Sequence, residues 1–191
     1  MIKIALTGII GSGKTTAANY FKSLGIPVFI ADDCAKELMT TDNELKTHLV
    51  NLLGELTYVK DKLNREFISD QIFNNKNLLT SVNNLIHPRV QKAFDVWVNK
   101  QNSKYVVYEA ALIFENNSDY MFDKIICIKT PLNIIHKRII NRKNYSKNKI
   151  DKIINSQLDQ DIKCSKSDFC IENTSKDKLF ADIKKIHLSM L

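Results

Sequence analysis

Short apolar runs alternate along the chain with longer segments in which apolar residues recur every three or four positions. The short runs are typical of buried strands, and the longer segments are typical of helices that bury one face. Strands that alternate with helices in this way indicate an α/β fold built on a parallel sheet. The strands are predicted at residues 3–6, 26–30, 104–108, 124–128 and 169–171, with a further short one at 57–59.

Residues typical of helix ends help to place the helices between these strands. Thr41 with Glu44 forms the pattern of a capping box. Pro88 fits the first turn of a helix that reaches about Lys100, and Thr130-Pro131 starts another helix in the same way. Further helices are predicted at residues 15–24, 34–39, 64–73, 78–86, 149–162 and 177–188.

The first strand leads into Gly8-Ile9-Ile10-Gly11-Ser12-Gly13-Lys14-Thr15, which fits the phosphate-loop pattern of Gly, four residues and Gly-Lys-Ser/Thr. A strand, a glycine-rich turn and a helix start aim backbone N–H groups at phosphate oxygens. Lys14 would add positive charge at the β- and γ-phosphates, and Thr15 would offer a hydroxyl to Mg²⁺. The motif, extended by Thr16, therefore predicts a nucleoside triphosphate site; a glycine-rich turn without a ligand is the less favoured alternative.

Composition narrows the choice of partners. The 191 residues are 44% apolar, which is enough for the core of one compact domain, and no apolar run approaches the length of a membrane span. The net charge of +7 favours either nucleic acid or small anionic ligands. Because the basic residues form no dense run, we expect small anionic ligands and neither nucleic acid nor membrane.

The four cysteines and the N-terminus bear on the compartment. Cys34, Cys127, Cys164 and Cys170 include no C-x-x-C pair and no spacing typical of zinc sites. The N-terminus has no signal-peptide layout. We therefore expect four free thiols in a reducing cytoplasm.

The four arginines are candidates for gripping phosphate through two hydrogen bonds, since the chain otherwise uses lysine for positive charge. Arg138 and Arg142 lie on one face of a helix. With the polar helix that follows, they predict a lid over the triphosphate, against the alternative of a solvated helical hairpin. Arg65, His87 and Arg89 fall in the helical block between the second and third strands, where we expect the phosphate acceptor to bind. Helix capping is an equal alternative for His87.

Polar side chains also follow the ends of strands, where open α/β sheets place ligand-binding groups. Asp32 is a candidate for orienting an acceptor hydroxyl or holding Mg²⁺, although Asp32 or Asp33 alternatively caps the next helix. Glu109 directly follows the third predicted strand, and many nucleoside triphosphatases have a carboxylate at the end of an apolar strand that orients Mg²⁺ or its waters. Glu115 follows on a loop over the same edge, and Asn173 after the last strand is predicted to meet adenine.

A spaced set of residues resembles the dephospho-CoA kinase family over nearly the full length of the chain. The phosphate loop is shared by many families, whereas His87-Pro88 and Leu112-Ile113-Phe114-Glu115 are more specific. The set comprises residues 6–8 and 11–15, Ala31-Asp32 with Ala35, Arg65, His87-Pro88, Val106-Val107, residues 112–115, Phe122-Asp123, Arg138, Arg142, Gln157, Asp168 and Asn173.

The resemblance implies a P-loop kinase, a monomer or weak homo-oligomer, that uses ATP and Mg²⁺ to phosphorylate the ribose 3′-hydroxyl of dephospho-CoA. It implies a core at about 1–31, 103–135 and 163–191, a helical CoA-binding insert at about 32–102 and a lid at about 136–162. Asp32, Lys14, Arg138 and Arg142 would be catalytic. ATP would bind residues 8–16, Arg142 and Asn173; the acceptor would bind Asp32, Arg65, His87 and Glu115; and Mg²⁺ would bind Thr15 with Asp32 or Glu109.

The chain departs from the family pattern at four positions. Ile9 replaces a usual Gly, Ile30 an Asp, Ala111 a Pro and His136 a Gln. The change at Ile30 leaves Asp32 as the single aligned carboxylate, although Asp33 is a possible substitute. Two other functions remain open. One is a small P-loop kinase for a nucleoside monophosphate or metabolite. The other is a nucleotide-dependent switch, which the lack of a guanine-reading Asn-Lys-x-Asp motif disfavours.

Overall fold

The computed structural model describes residues 1–73, 75–143 and 146–191, and only the backbone of Phe73, Arg142 and Lys143. The chain divides into two compact units. The sheet unit comprises residues 1–30 and 101–191, and the helical unit comprises residues 31–100.

The secondary-structure elements are numbered in chain order. The strands are β1 Ile2–Thr7, β2 Val28–Ile30, β3 Tyr58–Val59, β4 Lys62–Leu63, β5 Tyr105–Glu109, β6 Lys124–Lys129 and β7 Phe169–Glu172. The α-helices are α1 Lys14–Ser23, α2 Ala31–Thr41, α3 Asn43–Leu53, α4 Arg65–Phe73, α5 Lys76–Val98, α6 Leu132–Lys143, α7 Lys147–Asn155, α8 Gln160–Ser165 and α9 Lys176–Ser189. Single 3-10 turns lie at Glu55–Thr57 and Asp119–Met121.

The sheet unit contains a parallel sheet in the order β2-β5-β1-β6-β7, which confirms the predicted α/β class. Alternation along β1 divides the core between the two faces of this sheet. Ile4 and Leu6 pack with Phe21 of α1 and Ile183 of α9, whereas Ala5 packs in a separate cluster with residues that include Ile113 and Phe114. Because all five strands are parallel, their C-terminal ends share one edge, and β1 delivers the phosphate loop to its centre.

The helical unit contains the β3–β4 hairpin, of which the sequence indicated only the first strand. Lys60 and Asp61 connect the strands with φ values of +50° and +60°. This left-handed pair is typical of the tight turns that join twisted strands. It is easily missed in a sequence because neither residue is glycine.

Helix α5 runs through Pro88, so the prediction of separate helices at 78–86 and from Pro88 onward was wrong. Proline removes one helical hydrogen bond and usually kinks or ends a helix. Here the buried residues Val82, Ile86, Val90, Phe94 and Val98 recur every four positions on both sides of the proline. Burial of this continuous apolar face outweighs the local cost.

Two further helix boundaries differ from the prediction. The expected helix at 149–162 is split into α7 and α8, because Asp159 accepts hydrogen bonds from Asp161 and Ile162 and so caps a new helix. The capping box at Thr41 is also wrong, since Asp42 is the residue that caps α3. The hydroxyl of Thr41 instead donates to Glu37 O within α2.

Cys164 and Cys170 form a disulfide in the structure, with their Cα atoms 5.2 Å apart. The prediction of four free thiols is therefore wrong for this pair, while Cys34 and Cys127 are free. The bond joins α8 to the edge strand β7, which the sequence could not bring together without the fold. Across the described residues, none of the helices is both long and apolar enough to cross a membrane.

Candidate active site

The phosphate loop has little room for side chains at two of its glycines. Gly8 has a φ of +145°, and a Cβ atom there would lie 2.4 Å from Ile128 O. Gly13 has a φ of +100°, and a Cβ atom there would lie 2.2 Å from Asn173 Nδ2. The loop thus needs glycine at both positions, for its backbone conformation and for close packing on β6 and Asn173.

Helix α1 begins directly after this loop with an N-terminus suited to an anion. Gly13 precedes the helix without a side-chain cap, and the first turn contains no acidic residue. The N–H groups of the first turn and the helix dipole therefore favour a negative ligand here. Lys14 Nζ donates to Gly8 O and Ile9 O at 2.9 and 3.1 Å, which holds the ammonium over the loop. Thr15 and Thr16 are exposed in the first turn.

Two side chains support the loop by donating hydrogen bonds to the same backbone oxygen, Ser12 O. Asn173 Nδ2 donates to this carbonyl at 2.7 Å, and the Thr130 hydroxyl donates to it at 2.8 Å. The sequence did not predict this contact of Thr130 with the loop. Asn173 is 2% exposed and Thr130 is fully buried, so both fix the loop in a water-free setting.

Arg138 extends from α6 toward the same part of the loop. Its Nη2 lies 3.5 Å from Asn173 Oδ1, and its buried Nη1 has no hydrogen-bond partner in the described structure. A Cβ atom on Gly13 would lie 3.5 Å from that same Nη1. A buried guanidinium nitrogen without a partner is costly unless a ligand satisfies it, and a phosphate oxygen fits this requirement. The side chain of Arg142 lies outside the described residues.

The tip of the loop packs against the helices that the sequence assigned to a lid. Ile9 is 1% exposed and belongs to a buried cluster with Ile135 and Ile139 of α6 and Ile150 of α7. Ile9, where the family usually has Gly, therefore adds an apolar contact with helices α6 and α7. The loop tip and the two helices are one packed body.

An ion pair between a buried lysine and a partly exposed glutamate, which the sequence did not reveal, lies beside the loop. Lys163 is completely buried, and its Nζ donates to Glu115 Oε2 at 2.7 Å and to Ala111 O at 2.8 Å. Glu115 Oε1 accepts the N–H of Leu158 at 2.8 Å. Both carboxylate oxygens of Glu115 are thus engaged, whereas its expected contact with the acceptor stays a prediction. Lys163 gave no signal because it lies in a polar stretch.

Glu109 lies next to the phosphate loop at the C-terminal edge of the sheet. It ends β5, pairs with Leu6 of β1 and is 6% exposed. On β6, which pairs with the other side of β1, burial raises the pKa of the Cys127 thiol to about 11. That thiol is therefore protonated at neutral pH and unsuited to act as a nucleophile.

Three of the predicted acceptor residues lie on three helices of the helical unit. Asp32 is exposed in the first turn of α2, and Arg65 is exposed as the first residue of α4. His87 is half-buried in α5, and burial lowers its pKa, so the imidazole is neutral at pH 7. Helices α2 and α4 both pack on α5.

Arg89, also predicted to face the acceptor, is held by groups of the helical unit. Its Nε donates to Asp42 Oδ2 at 3.2 Å, its Nη1 to Leu85 O at 2.9 Å, and its Nη2 lies 3.3 Å from Glu44 Oε2. The guanidinium therefore ties α5 to the start of α3.

Comparison with known proteins assigns the chain to a family. The family model described as dephospho-CoA kinase matches residues 2–178, nearly the whole chain. This chain belongs to the dephospho-CoA kinase family. A dephospho-CoA kinase from Rickettsia typhi is 36% identical over 97% of this chain and 93% of its own length. One from Bacteroides fragilis is 31% identical over 97% of this chain and 91% of its own length.

Solved structures agree with this assignment. Dephospho-CoA kinase from Campylobacter jejuni is 25% identical, with a TM-score of 0.63 over 98% of this chain and 96% of its own. A Thermus thermophilus protein has a TM-score of 0.88 over 100% of this chain and 97% of its own, at 24% identity. Shikimate kinase from Bacteroides thetaiotaomicron, with a TM-score of 0.53 and 16% identity, shares the fold. The P-loop kinase fold predicted from the sequence is thus confirmed.

Proposed function

We propose that the chain transfers the γ-phosphoryl group of ATP to the 3′-hydroxyl of the ribose of dephospho-CoA, which gives CoA. The observation that carries this proposal is family membership over nearly the whole chain, together with a phosphate loop built for an anionic ligand. Catalysis then consists mainly of positioning the two substrates and stabilising charge, since phosphoryl transfer requires little covalent chemistry from the protein.

The sheet unit supplies the groups for ATP. The N-terminus of α1 and the loop N–H groups would bind phosphate oxygens, and Lys14 would move from its loop carbonyls onto the β- and γ-phosphates. The buried Nη1 of Arg138 would donate to a phosphate oxygen. Arg142 is proposed as a second lid cation, and Asn173 as the residue on the adenine side that also holds Ser12 O.

The helical unit supplies the groups for the acceptor. We assign Asp32 the task of orienting the 3′-hydroxyl and accepting its proton, an assignment supported by its position two residues after β2. Arg65 would bind anionic groups of dephospho-CoA. His87, neutral at pH 7, would hydrogen-bond to the acceptor without adding charge. Glu115 would contact the acceptor only through lone pairs left by Lys163 and Leu158.

The donor set fits Mg²⁺ held chiefly by the nucleotide. No cluster of three metal-binding side chains occurs among the residues with described positions. Mg²⁺ usually binds one or two protein oxygens together with phosphates and waters, and Thr15 with Glu109 or Asp32 offers such a set. When bound, the ion would neutralise charge on the β- and γ-phosphates.

We place the enzyme in the cytoplasm as a monomer or weak homo-oligomer. The free thiols of Cys34 and Cys127 support this location, while the disulfide between Cys164 and Cys170 removes part of the argument from free thiols. Gel filtration at working concentration measures the oligomeric state directly.

The proposal is tested by ADP formation from ATP and Mg²⁺ with dephospho-CoA, AMP, dTMP, shikimate or no acceptor. We expect turnover only with dephospho-CoA, with CoA as the product. Lys14→Ala serves as the control, because loss of its charge should impair both ATP affinity and turnover. Turnover with another acceptor would reassign the helical unit, and hydrolysis without any small acceptor would favour a nucleotide-dependent switch.

A further inference from the structure

Gln157 makes a direct hydrogen bond to the phosphate loop. It lies in the α7–α8 linker, residues 156–159, and its Oε1 accepts the N–H of Ile10 at 2.8 Å. The hydrogen-bond acceptor is a neutral amide oxygen, so this bond adds no negative charge where phosphate is expected to bind. Ile10 lies between two of the loop glycines, Gly8 and Gly11.

The linker that carries Gln157 is itself firmly held. Its Leu158 N–H donates to Glu115 Oε1, and Lys163 at the next helix holds the other oxygen of the same carboxylate. Gln160, the first residue of α8, accepts the N–H of Thr130 at 3.0 Å. A side chain mounted on such a linker acts as a fixed point for the loop.

Apolar packing brings the same partners together. Ile10 packs at the margin of the isoleucine cluster that includes Ile9, and Ile154 at the end of α7 packs there too. The cluster holds the loop tip near the linker, but apolar contacts are not directional. The hydrogen bond to Gln157 adds the directional element that fixes the orientation of the Ile10 peptide.

We propose that Gln157 is a positioning residue, which holds the phosphate loop in the conformation that binds the triphosphate of ATP. The inference rests on the proposed function as far as ATP is the ligand. A loop held in this way loses less conformational freedom when ATP binds, and affinity rises accordingly. The contribution should appear in ATP binding, because Gln157 does not contact the reacting atoms.

The test measures binding of the β,γ-imido analogue of ATP with Mg²⁺ and no acceptor, by calorimetry. Gln157→Ala should weaken binding about fivefold to tenfold, the effect of losing one net hydrogen bond. Gln157→Met, which keeps the length of the side chain without the amide oxygen, should weaken it equally. With dephospho-CoA as acceptor, both variants should raise KM for ATP and leave kcat within about twofold.

Asn75→Ala is the matched control. It removes a hydrogen bond of the same kind, in which a side-chain amide oxygen accepts a backbone N–H, here that of Leu78 in the helical unit. It should leave analogue affinity unchanged. In addition, NMR should show faster amide exchange at Ile10 in both Gln157 variants and wild-type exchange in Asn75→Ala.

Wild-type affinity in Gln157→Met would overturn the inference, because packing alone would then explain the contact. Equal weakening by Asn75→Ala would also overturn it, in favour of a general loss of stability. If the wild-type chain failed to bind the analogue, both the proposed function and this inference would fall. Binding without transfer to dephospho-CoA would contradict only the proposed function.

Discussion

Asp32 and Asp33 are neighbours in the first turn of α2, and both are exposed. They make the same favourable interaction with the helix N-terminus, so exchanging either for Asn has a similar effect on the helix. They differ in their surroundings, since Asp33 pairs with Lys36 at 2.7 Å. Substituting Asp32 and Asp33 one at a time therefore separates an effect on catalysis from an effect on helix stability.

We predict that Asp32→Asn lowers kcat by about 10²–10⁴-fold, because the acceptor hydroxyl loses its proton acceptor, while ATP still binds. Asp33→Asn should retain turnover. Steady-state kinetics with saturating ATP and dephospho-CoA checks both variants. A lower kcat in Asp33→Asn, with normal turnover in Asp32→Asn, would assign the role of proton acceptor to Asp33.

Gly13→Ala should impair ATP binding more than tenfold, because the new Cβ would displace Asn173 from Ser12 O and push the loop out of place. Gly25→Ala is the control. Gly25 also has a positive φ, +79°, but its Cβ would meet nothing within 4 Å. Gly25→Ala should therefore introduce backbone strain at residue 25 and leave ATP affinity unchanged. Calorimetry measures both, and equal affinities would show that the contact with Asn173 does not matter.

Residue types and spacing predicted the phosphate loop because its chemistry depends on a local sequence. They did not predict the partners that support the loop. Gln157, Thr130 and Lys163 reach the loop region through the fold from distant parts of the chain. A polar residue in a polar stretch gives no sign of the partner that the fold will bring to it, so only its place in the resemblance marked Gln157.

At the scale of elements, the cap of α3 shows how one carboxylate serves two purposes. Asp42 Oδ1 accepts the N–H of Leu45 at 3.0 Å, and Oδ2 accepts the guanidinium of Arg89. The hydrogen bond from Leu45, aided by Arg89, holds the pKa of Asp42 below its ordinary value. The folded state therefore binds this proton less readily than the unfolded chain.

It follows that Asp42→Ala lowers Tm by a few degrees at pH 7. The contribution of Asp42 is complete above its unfolded pKa of about 3.9 and is lost as the pH falls through the lower folded value. The wild type and Asp42→Ala should therefore converge in strongly acidic solution. Asp42→Asn, which still caps the helix, should lower Tm by less than Asp42→Ala does. Thermal unfolding as a function of pH measures these differences, and a constant gap between wild type and Asp42→Ala would contradict the assignment.

Strands were predicted almost to their ends because a buried parallel strand is a short apolar run bounded by polar residues. Helix boundaries were harder, since they depend on competition between local signals and packing. At Pro88 packing prevailed over the breaker, and at Asp159 a local cap divided what the pattern suggested was one helix. The sequence contains both signals but not their relative strength.

For the whole molecule, the disulfide offers a test of stability. It joins residues six positions apart, and closing so short a loop should stabilise the fold by about 2 kcal/mol. Reduction should lower the free energy of unfolding by that amount in urea titrations. Cys164→Ser/Cys170→Ser should unfold at the same urea concentration with and without reductant. Four titratable thiols in the unreduced, denatured chain would show that the bond does not form.

The strand order also has a consequence for the synthesis of the chain. The central strand β1 pairs with β5 and β6, so Ile2 meets Tyr105 and Ile4 meets Lys124. The entire helical unit is translated between these partners. At translation rates of about 5–20 residues per second, β1 waits roughly 5–20 s on the ribosome before its neighbours emerge. The nascent β1 strand is therefore an apolar segment without pairing partners. A chaperone at the exit tunnel is suited to shield this segment.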